Sequence, residues 1–226
     1  QLVNAVEEQK NTINENDILE AIWRKPEVKM AQFNHLIEMR TTVPDDTQFN
    51  DQWQYINTGQ NAGTPGVDLD ADLAWDVTTG GLTAFGDTIV VCVIDGGIDL
   101  SHQDFEDNLW VNHNEIPDND IDDDNNGYVD DYLGWNTAFD NDEIAGSNHG
   151  TAVAGIVGAK GNNGLGVTGI SWNVKVMVVK NGSTSEGNVL EAYSYPLTQR
   201  KLYNQSNGEE GDFVVATNAS WGINMG

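Results

Sequence analysis

Three short and almost continuous apolar runs stand out along this 226-residue chain. They cover residues 89–94, 174–179 and 213–220, and they are rich in β-branched side chains. Runs of this kind are typical of strands that are buried on both faces of a parallel sheet. Helices are predicted at 70–77, from near His149 and at 187–203, where Pro196 favours a break or a kink. The alternation of predicted strands and helices along the chain predicts an α/β fold with a doubly wound, mostly parallel sheet.

The first forty or so residues follow a different pattern. Asp17 stands three residues before Glu20, which is the spacing of a capping box, and this predicts a short helix that ends at Pro26. Residues 28–37 are then predicted to be extended. We therefore expect residues 1–43 to be a fragment of a small α+β unit, separate from an α/β domain over residues 44–226.

The charge of the chain is strongly negative and unevenly placed. Its 36 acidic and 10 basic residues give a formal net charge of −26, and no Lys or Arg occurs between Arg40 and Lys160. Such a surface repels phosphate backbones and anionic lipids, so we expect neither nucleic acid nor membrane as a partner. No run of eighteen apolar residues is present, so the sequence predicts no membrane-spanning helix.

Three motifs carry candidate chemistry. Asp95 ends the first apolar run, His149 opens the predicted small-residue helix within Asn148-His149-Gly150-Thr151, and Ser220-Trp221-Gly222 follows the last strand. The carboxyl ends of parallel strands are where α/β proteins form their sites. Taken singly, each motif has a simpler interpretation: an acid that caps a turn, a histidine that caps a helix, and an ordinary strand end.

Together and in this order, the three motifs resemble the subtilase family of serine endopeptidases. Asp…His…Ser is the known order of the subtilisin triad. The resemblance implies that Asp95 orients His149 and that His149 acts as general base. It also implies that Ser220, Trp221 and Gly222 bind the backbone of a polypeptide substrate, opposite a wall that includes Gly182. Asp95 and His149 should then lie within hydrogen-bond distance, at about 2.6–3.2 Å.

The resemblance extends to the beginning of the chain. Residues 21–35 are similar to the end of an inhibitory propeptide, and residues 44–53 are similar to the start of the mature protease domain. This implies a zymogen in which residues 1–43 comprise the end of the propeptide and the processing region, with the propeptide as an intramolecular inhibitor. It also implies an extracellular, secreted protein.

Two features depart from the family pattern. Gly96 stands where subtilases usually have Ser or Thr, so a hydroxyl beside Asp95 is missing. No Gly-Thr-Ser-x-Ala motif occurs in the 226 residues. We therefore expect the nucleophilic serine and the oxyanion-hole asparagine to lie beyond this sequence, and the 226-residue chain alone to be inactive. The alternatives are a catalytically inactive subtilase-like binding module and a calcium-dependent extracellular adhesion or spacer module.

The acidic segment, residues 112–142, contains many closely spaced carboxylates, and this density suggests a calcium site. Asp122-x-Asp124-x-Asn126-Gly127 reproduces the first half of an EF-hand loop, with alternating oxygen ligands and a glycine for the turn. The closing Glu is missing, and Asp130 or Asp131 are candidates to replace it. A solvated acidic loop without a metal is the alternative.

A second calcium site is implied only by the resemblance. It would use Asp46, Asp104 and Asn163 as ligands. Calcium would be a structural cofactor in both places.

Overall fold

The computed structural model describes residues 15–29, 31, 42–182 and 185–222. The chain divides into two compact units, Gln1–Arg40 and Thr41–Gly226. The first contains helix α1, Glu15–Trp23, in the region where a short helix is predicted. Asp17, the predicted cap, lies inside this helix and not before it. The Trp23 indole donates a hydrogen bond to Ala31 O at 2.9 Å. Most of the segment 28–37, predicted to be extended, lies outside the described residues.

The second unit is built around a parallel four-stranded sheet. Its strands are β1 (Val90–Asp95), β2 (Gly134–Asn136), β3 (Lys175–Lys180) and β4 (Val214–Ala219). Their order is β2-β3-β1-β4, and every pairing between them is parallel. The predicted α/β fold is confirmed. The short strand β2 was not predicted, because its three residues lie within the acidic segment and form no apolar run of their own.

Helices cover both faces of this sheet. They are α3 (Asn148–Gly158) and α4 (Glu186–Ser206). A shorter helix, α2 (Ala71–Trp75), packs instead in a separate buried cluster with Trp172. Short 3-10 turns occur at Phe49–Asp51, Gln60–Ala62 and Glu106–Asn108. Cys92 and Ile94 of β1 pack in one buried cluster with Tyr195 of α4, whereas Val93 packs in another with Ala154 of α3. Successive strand residues point to opposite faces, so α3 and α4 lie on opposite sides of the sheet, which is therefore doubly wound.

Helix α4 continues through Pro196, so the predicted break does not occur. Tyr195 is fully buried and Pro196 is buried beside it. Burial of this face holds the helix together where proline removes one backbone hydrogen bond. Among the described residues, no helix is both long and apolar enough to cross a bilayer.

Candidate active site

The carboxyl ends of three strands meet at one edge of the sheet. Asp95, the last residue of β1, is paired with Lys180, the last residue of β3, and Ile94 is paired with Ala219, the last residue of β4. Immediately after β3, the backbone N–H of Asn181 donates to the Asp95 carbonyl at 2.7 Å. This register places the Asp95 side chain between the two segments that follow β3 and β4.

His149 is in direct contact with Asp95. Its Nδ1 lies 3.0 Å from Asp95 Oδ1 and 2.9 Å from Oδ2, although 54 positions separate the two residues. The predicted distance is confirmed. Asp95 is only 6% exposed, whereas 63% of the His149 side chain is accessible. The buried acid thus holds one side of a ring whose remainder faces solvent.

The protonation pattern of the neutral ring follows from this contact. An ionised carboxylate can only accept hydrogen bonds, so Nδ1 of His149 must carry the proton that is shared with Asp95. Nε2 is then an acceptor that is open to an approaching hydroxyl. The Gly96 N–H also donates to Asp95 Oδ1 at 2.8 Å, which helps to fix the orientation of the carboxylate.

Contacts between the segment that leads into α3 and the turn after β1 hold Asp95 and His149 in place relative to each other. Ile98 forms a parallel bridge with Ala145, and Ser147 N donates to Gly96 O at 3.3 Å. Ser147 is the N-cap of α3, with its side chain accepting from Gly150 N. The N-terminus of α3 carries partial positive charge, which stabilises the carboxylate beside it. The sequence motif located His149 at the helix start but did not identify Ser147 as the cap.

The predicted substrate residues lie at the same sheet edge. β4 pairs with β1 and leads directly into the exposed segment from Ser220 to Gly222. Trp221 Nε1 donates to Ile94 O at 3.3 Å, and its ring lies 6.4 Å from that of Tyr193 on α4. Gly182, on the turn after β3, is exposed. Tyr193 was not predicted, because nothing in the sequence of α4 marks it.

Comparison with known proteins agrees with this geometry. Residues 86–224 match the subtilase family, peptidase family S8. The chain belongs to the subtilase family. Subtilisin-like protease 1 of Plasmodium berghei (strain Anka) is 34% identical over 158 residues, or 67% of this chain and 25% of that protein. PC3-like endoprotease variant B of Hydra vulgaris is 33% identical over 168 residues, or 74% of this chain and 21% of that protein. This subtilase chain thus spans a quarter or less of the length of these relatives.

Two solved structures share the fold of this subtilase chain. The serine protease of Aeromonas sobria in complex with the chaperone ORF2 gives a TM-score of 0.53 at 20% identity, covering 82% of this chain and 27% of that one. The same protease without the chaperone gives 0.51 at 19% identity, covering 88% and 29%. At such low identity the likeness concerns the fold alone.

The acidic segment of the subtilase chain contains a convergent group of carboxylates. One oxygen from each of Glu115, Asp124 and Asp131 lies within 4.8 Å of the others. Glu115 is 4% exposed, and its Oε2 is buried with no hydrogen-bond partner among the described residues. Burial raises the pKa of Glu115, and repulsion from Asp124 and Asp123 adds to this. An unpartnered buried carboxylate oxygen beside two further carboxylates fits a hard cation such as Ca²⁺.

Two of the other residues predicted to bind calcium, Asp122 and Asp130, stabilise turns of this segment by accepting hydrogen bonds from backbone N–H groups. Asp122 accepts from Asn126 N and Gly127 N at 3.0 and 2.9 Å. Asp130 accepts from two backbone N–H groups, those of Asn119 and Asp120. The Asn126 amide donates to Asp124 Oδ2 at 3.2 Å and to Asp131 Oδ2 at 3.0 Å, so it lies against the convergent carboxylates. Glu115 was missed, because it stands seven residues before Asp122, outside the EF-hand-like spacing.

Asp131 connects this segment to the core. It is fully buried, and it accepts hydrogen bonds from Tyr195 Oη at 2.7 Å and Gln199 Nε2 at 3.3 Å, both on α4. Asn112 donates to its other oxygen at 2.8 Å. Burial nevertheless raises the pKa of Asp131 to about 6, since desolvation outweighs these hydrogen bonds.

The residues of the second predicted calcium site also come together. Asn163 Nδ2 donates to Asp104 Oδ1 at 3.3 Å, and Asn162 N donates to Asp46 Oδ2 at 2.9 Å. The other oxygen of Asp46, Oδ1, is buried without a hydrogen-bond partner in the described part of the chain. Burial raises the pKa of Asp46, and the nearby charge of Asp104 contributes. This donor set likewise fits Ca²⁺.

Proposed function

We propose that the full-length protein is a serine endopeptidase that hydrolyses peptide bonds through an Asp-His-Ser triad. The observation that carries this proposal is the contact of His149 Nδ1 with both oxygens of the buried Asp95. Membership of the subtilase family supports it. The nucleophilic serine belongs, in this proposal, to a part of the protein outside the 226 residues.

Each residue of the pair has a distinct role in the proposed reaction. A serine hydroxyl is a weak nucleophile until a base removes its proton. Nε2 of His149 accepts that proton and then delivers it to the leaving amine. Asp95 holds the imidazole in the required tautomer and stabilises its charged form.

The proposed substrate is a polypeptide that binds in an extended conformation along the segment that follows β4. An extended peptide pairs with the backbone at Ser220, Trp221 and Gly222, with Gly182 on the opposite side of the cleft. Because the surface is strongly acidic, neither nucleic acid nor an anionic membrane is proposed as a partner. The proposed setting is extracellular, as the family resemblance implies.

Labelling with a fluorophosphonate tests the triad. We expect the full-length protein to be labelled and to cleave peptides, whereas the 226-residue chain is not labelled because it lacks the nucleophile. His149→Ala in the full-length protein should lower kcat by roughly 10³-fold or more, as loss of a triad base generally does. A full-length protein that keeps its activity after this substitution would contradict the assignment, and one that is never labelled would favour an inactive binding module.

We further propose that residues 1–43 are the end of an inhibitory propeptide and that residues 44–226 begin the protease domain. The division into compact units at Arg40 and Thr41 is close to this boundary and supports the proposal. The propeptide would act as an intramolecular inhibitor until it is cleaved.

Calcium is the proposed structural cofactor. In the acidic segment, Asp124 would bind it together with Glu115 and Asp131, with Asn126 adjacent and with Asp122 and Asp130 shaping the loop. The second site would use Asp46, Asp104 and Asn163. Bound Ca²⁺ would neutralise buried carboxylates that otherwise repel one another, and so stabilise the folded state.

A matched pair of double variants tests the acidic-segment site. Extracellular modules bind calcium with dissociation constants of about 10⁻⁴–10⁻³ M, and a tenfold excess over that value stabilises by about 1.4 kcal/mol per site. We expect calcium to raise the melting temperature, and Glu115→Gln/Asp124→Asn to remove part of the rise. The control, Asp118→Asn/Asp120→Asn, removes the same charge from the same segment and should keep the full response. Equal responses from both double variants would instead indicate nonspecific screening.

A further inference from the structure

Gly96, the residue after Asp95, is a glycine because of the space around it. Its φ is not in the left-handed region, so its backbone conformation suits any residue. A Cβ at this position would lie 3.1 Å from Ser147 Oγ and 3.4 Å from Ser147 Cβ. The shorter contact is tight enough to require a small displacement of Ser147. A side chain at residue 96 would therefore press against Ser147.

Ser147 connects the turn after Asp95 with the helix that carries His149. Its backbone N–H donates to Gly96 O at 3.3 Å. Its Oγ accepts from Gly150 N at 3.1 Å, and its carbonyl oxygen accepts from Thr151 N at 3.1 Å and from Thr151 Oγ1 at 2.9 Å. A displacement of the Ser147 backbone would therefore shift the first turn of α3, and with it the imidazole.

We propose that Ser147 is a positioning residue for the triad. Its hydroxyl fills the space that Gly96 leaves open, and it fixes the first turn of α3 at the separation that brings His149 Nδ1 against Asp95. Ser147 acts through His149 and contacts no reacting atom. This inference rests on the proposed protease activity.

Three substitutions at Ser147 in the full-length protein separate positioning from simple helix capping. Glycine caps helices nearly as well as serine, whereas alanine does not. If Ser147 only capped α3, Ser147→Gly would keep the kcat of the wild type. We expect instead that Ser147→Ala and Ser147→Gly both lower kcat, because both remove the hydroxyl that accepts from Gly150 N. The loss should be roughly three- to thirtyfold, on the scale of one hydrogen bond left unmade, with KM nearly unchanged. Ser147→Thr retains the hydroxyl and should keep most of kcat.

A double-mutant cycle tests the shared space directly. We expect Gly96→Ala to lower kcat by displacing Ser147, and Gly96→Ala/Ser147→Gly to be no worse than Ser147→Gly alone, because the obstructing hydroxyl is gone. Losses that simply add, or a Ser147→Gly variant with wild-type kcat, would overturn the inference. Because the cycle does not use Ser147→Ala, it still tests the inference if that variant fails to fold.

Two controls keep the outcomes distinguishable. Val157→Ala, near the other end of α3, should lower the melting temperature through lost packing without changing kcat. Wild type and His149→Ala are assayed beside the Ser147 variants. Equal rates for wild type and His149→Ala would defeat the proposed protease function itself. Activity that depends on His149 but not on Ser147 would defeat only the positioning role.

Discussion

Gly150, on the helix that bears the imidazole, lies close against Asp95 and the turn that follows it. A Cβ on Gly150 would lie 2.1 Å from Gly97 O and 3.1 Å from Asp95 Oδ1. Neither backbone nor carboxylate can move away freely at such distances, because the carboxylate is held by His149 and by Gly96 N. Even a methyl group at position 150 would therefore push the start of α3, which carries His149, away from Asp95 at the end of β1.

We predict that Gly150→Ala abolishes most activity of the full-length protein and lowers its melting temperature. Gly155→Ala is the matched control, since a Cβ there meets nothing within 4 Å. An exposed glycine-to-alanine change within a helix stabilises by roughly 0.5–1 kcal/mol, so the control should raise the melting temperature of the 226-residue chain. Thermal denaturation and peptide hydrolysis measure the two effects. Similar behaviour of both variants would show that the close approach at Gly150 has no consequence.

At the same scale, the sequence located some site residues and missed others for identifiable reasons. Asp95 and His149 were found because each stands in a motif of several residues. Glu115 and Ser147 were missed, because their roles depend on contacts with residues that are distant along the chain or on neighbours that carry no distinctive pattern.

At the scale of elements, the acidic segment is tied to α4 by a buried polar network. Asp131 is its centre, since Tyr195 and Gln199 of α4 and Asn112 and Asn126 of the segment all donate to its carboxylate. This network is costly to bury, because the charge on Asp131 has lost its hydration. Hydrophobic patterning predicted the long strands and helices that flank the network. It could not predict β2 or the network itself, whose polar residues give no periodic signal.

The raised pKa of Asp131 predicts an unusual pH dependence in the absence of calcium. Its folded pKa of about 6 is above the ordinary value of 3.8, so the folded state binds the proton more tightly than the unfolded state does. Unfolding free energy should therefore fall as pH rises from about 4 to 6, and acidification from pH 7 to 5 should stabilise the metal-free chain by about 1 kcal/mol. Burial raises the pKa values of Glu115 and Asp46 as well, which adds to the same trend.

Urea denaturation of the chelator-treated chain at pH 7 and pH 5 measures this effect. In saturating calcium the trend should reverse, because protons compete with the metal for the carboxylates. A metal-free chain that loses stability between pH 7 and pH 5 would show that Asp131 titrates without a penalty for burial.

At the scale of the whole molecule, the fold was largely predictable. Apolar runs at 89–94, 174–179 and 213–220 became β1, β3 and β4. β1 and β3 are buried over most of their length, as continuous β-branched runs predict, whereas residues 215–217 of β4 are exposed, so the expected burial of that strand is not met. The sequence also indicated a separate N-terminal unit through its change of pattern. Because the strands were predicted to be parallel, their carboxyl ends could be expected to meet at one edge of the sheet. The strand order β2-β3-β1-β4 could not be predicted, since apolar runs do not encode which strands are neighbours.

The two-unit organisation leads to a prediction about maturation. Pro44 restricts Val43 to extended conformations, which a peptide needs in order to pair with the backbone of the segment Ser220–Gly222. We predict that the full-length protein is cleaved between residues 36 and 44, and that His149→Ala leaves the precursor intact because the protein processes itself. N-terminal sequencing of the mature protein locates the cut, and electrophoresis of the His149→Ala variant shows whether the precursor accumulates. A mature N-terminus well outside residues 36–44 would place the domain boundary elsewhere. Normal processing of an inactive His149→Ala variant would mean that another protease makes the cut, and the intramolecular propeptide mechanism would then be wrong even if the triad is right.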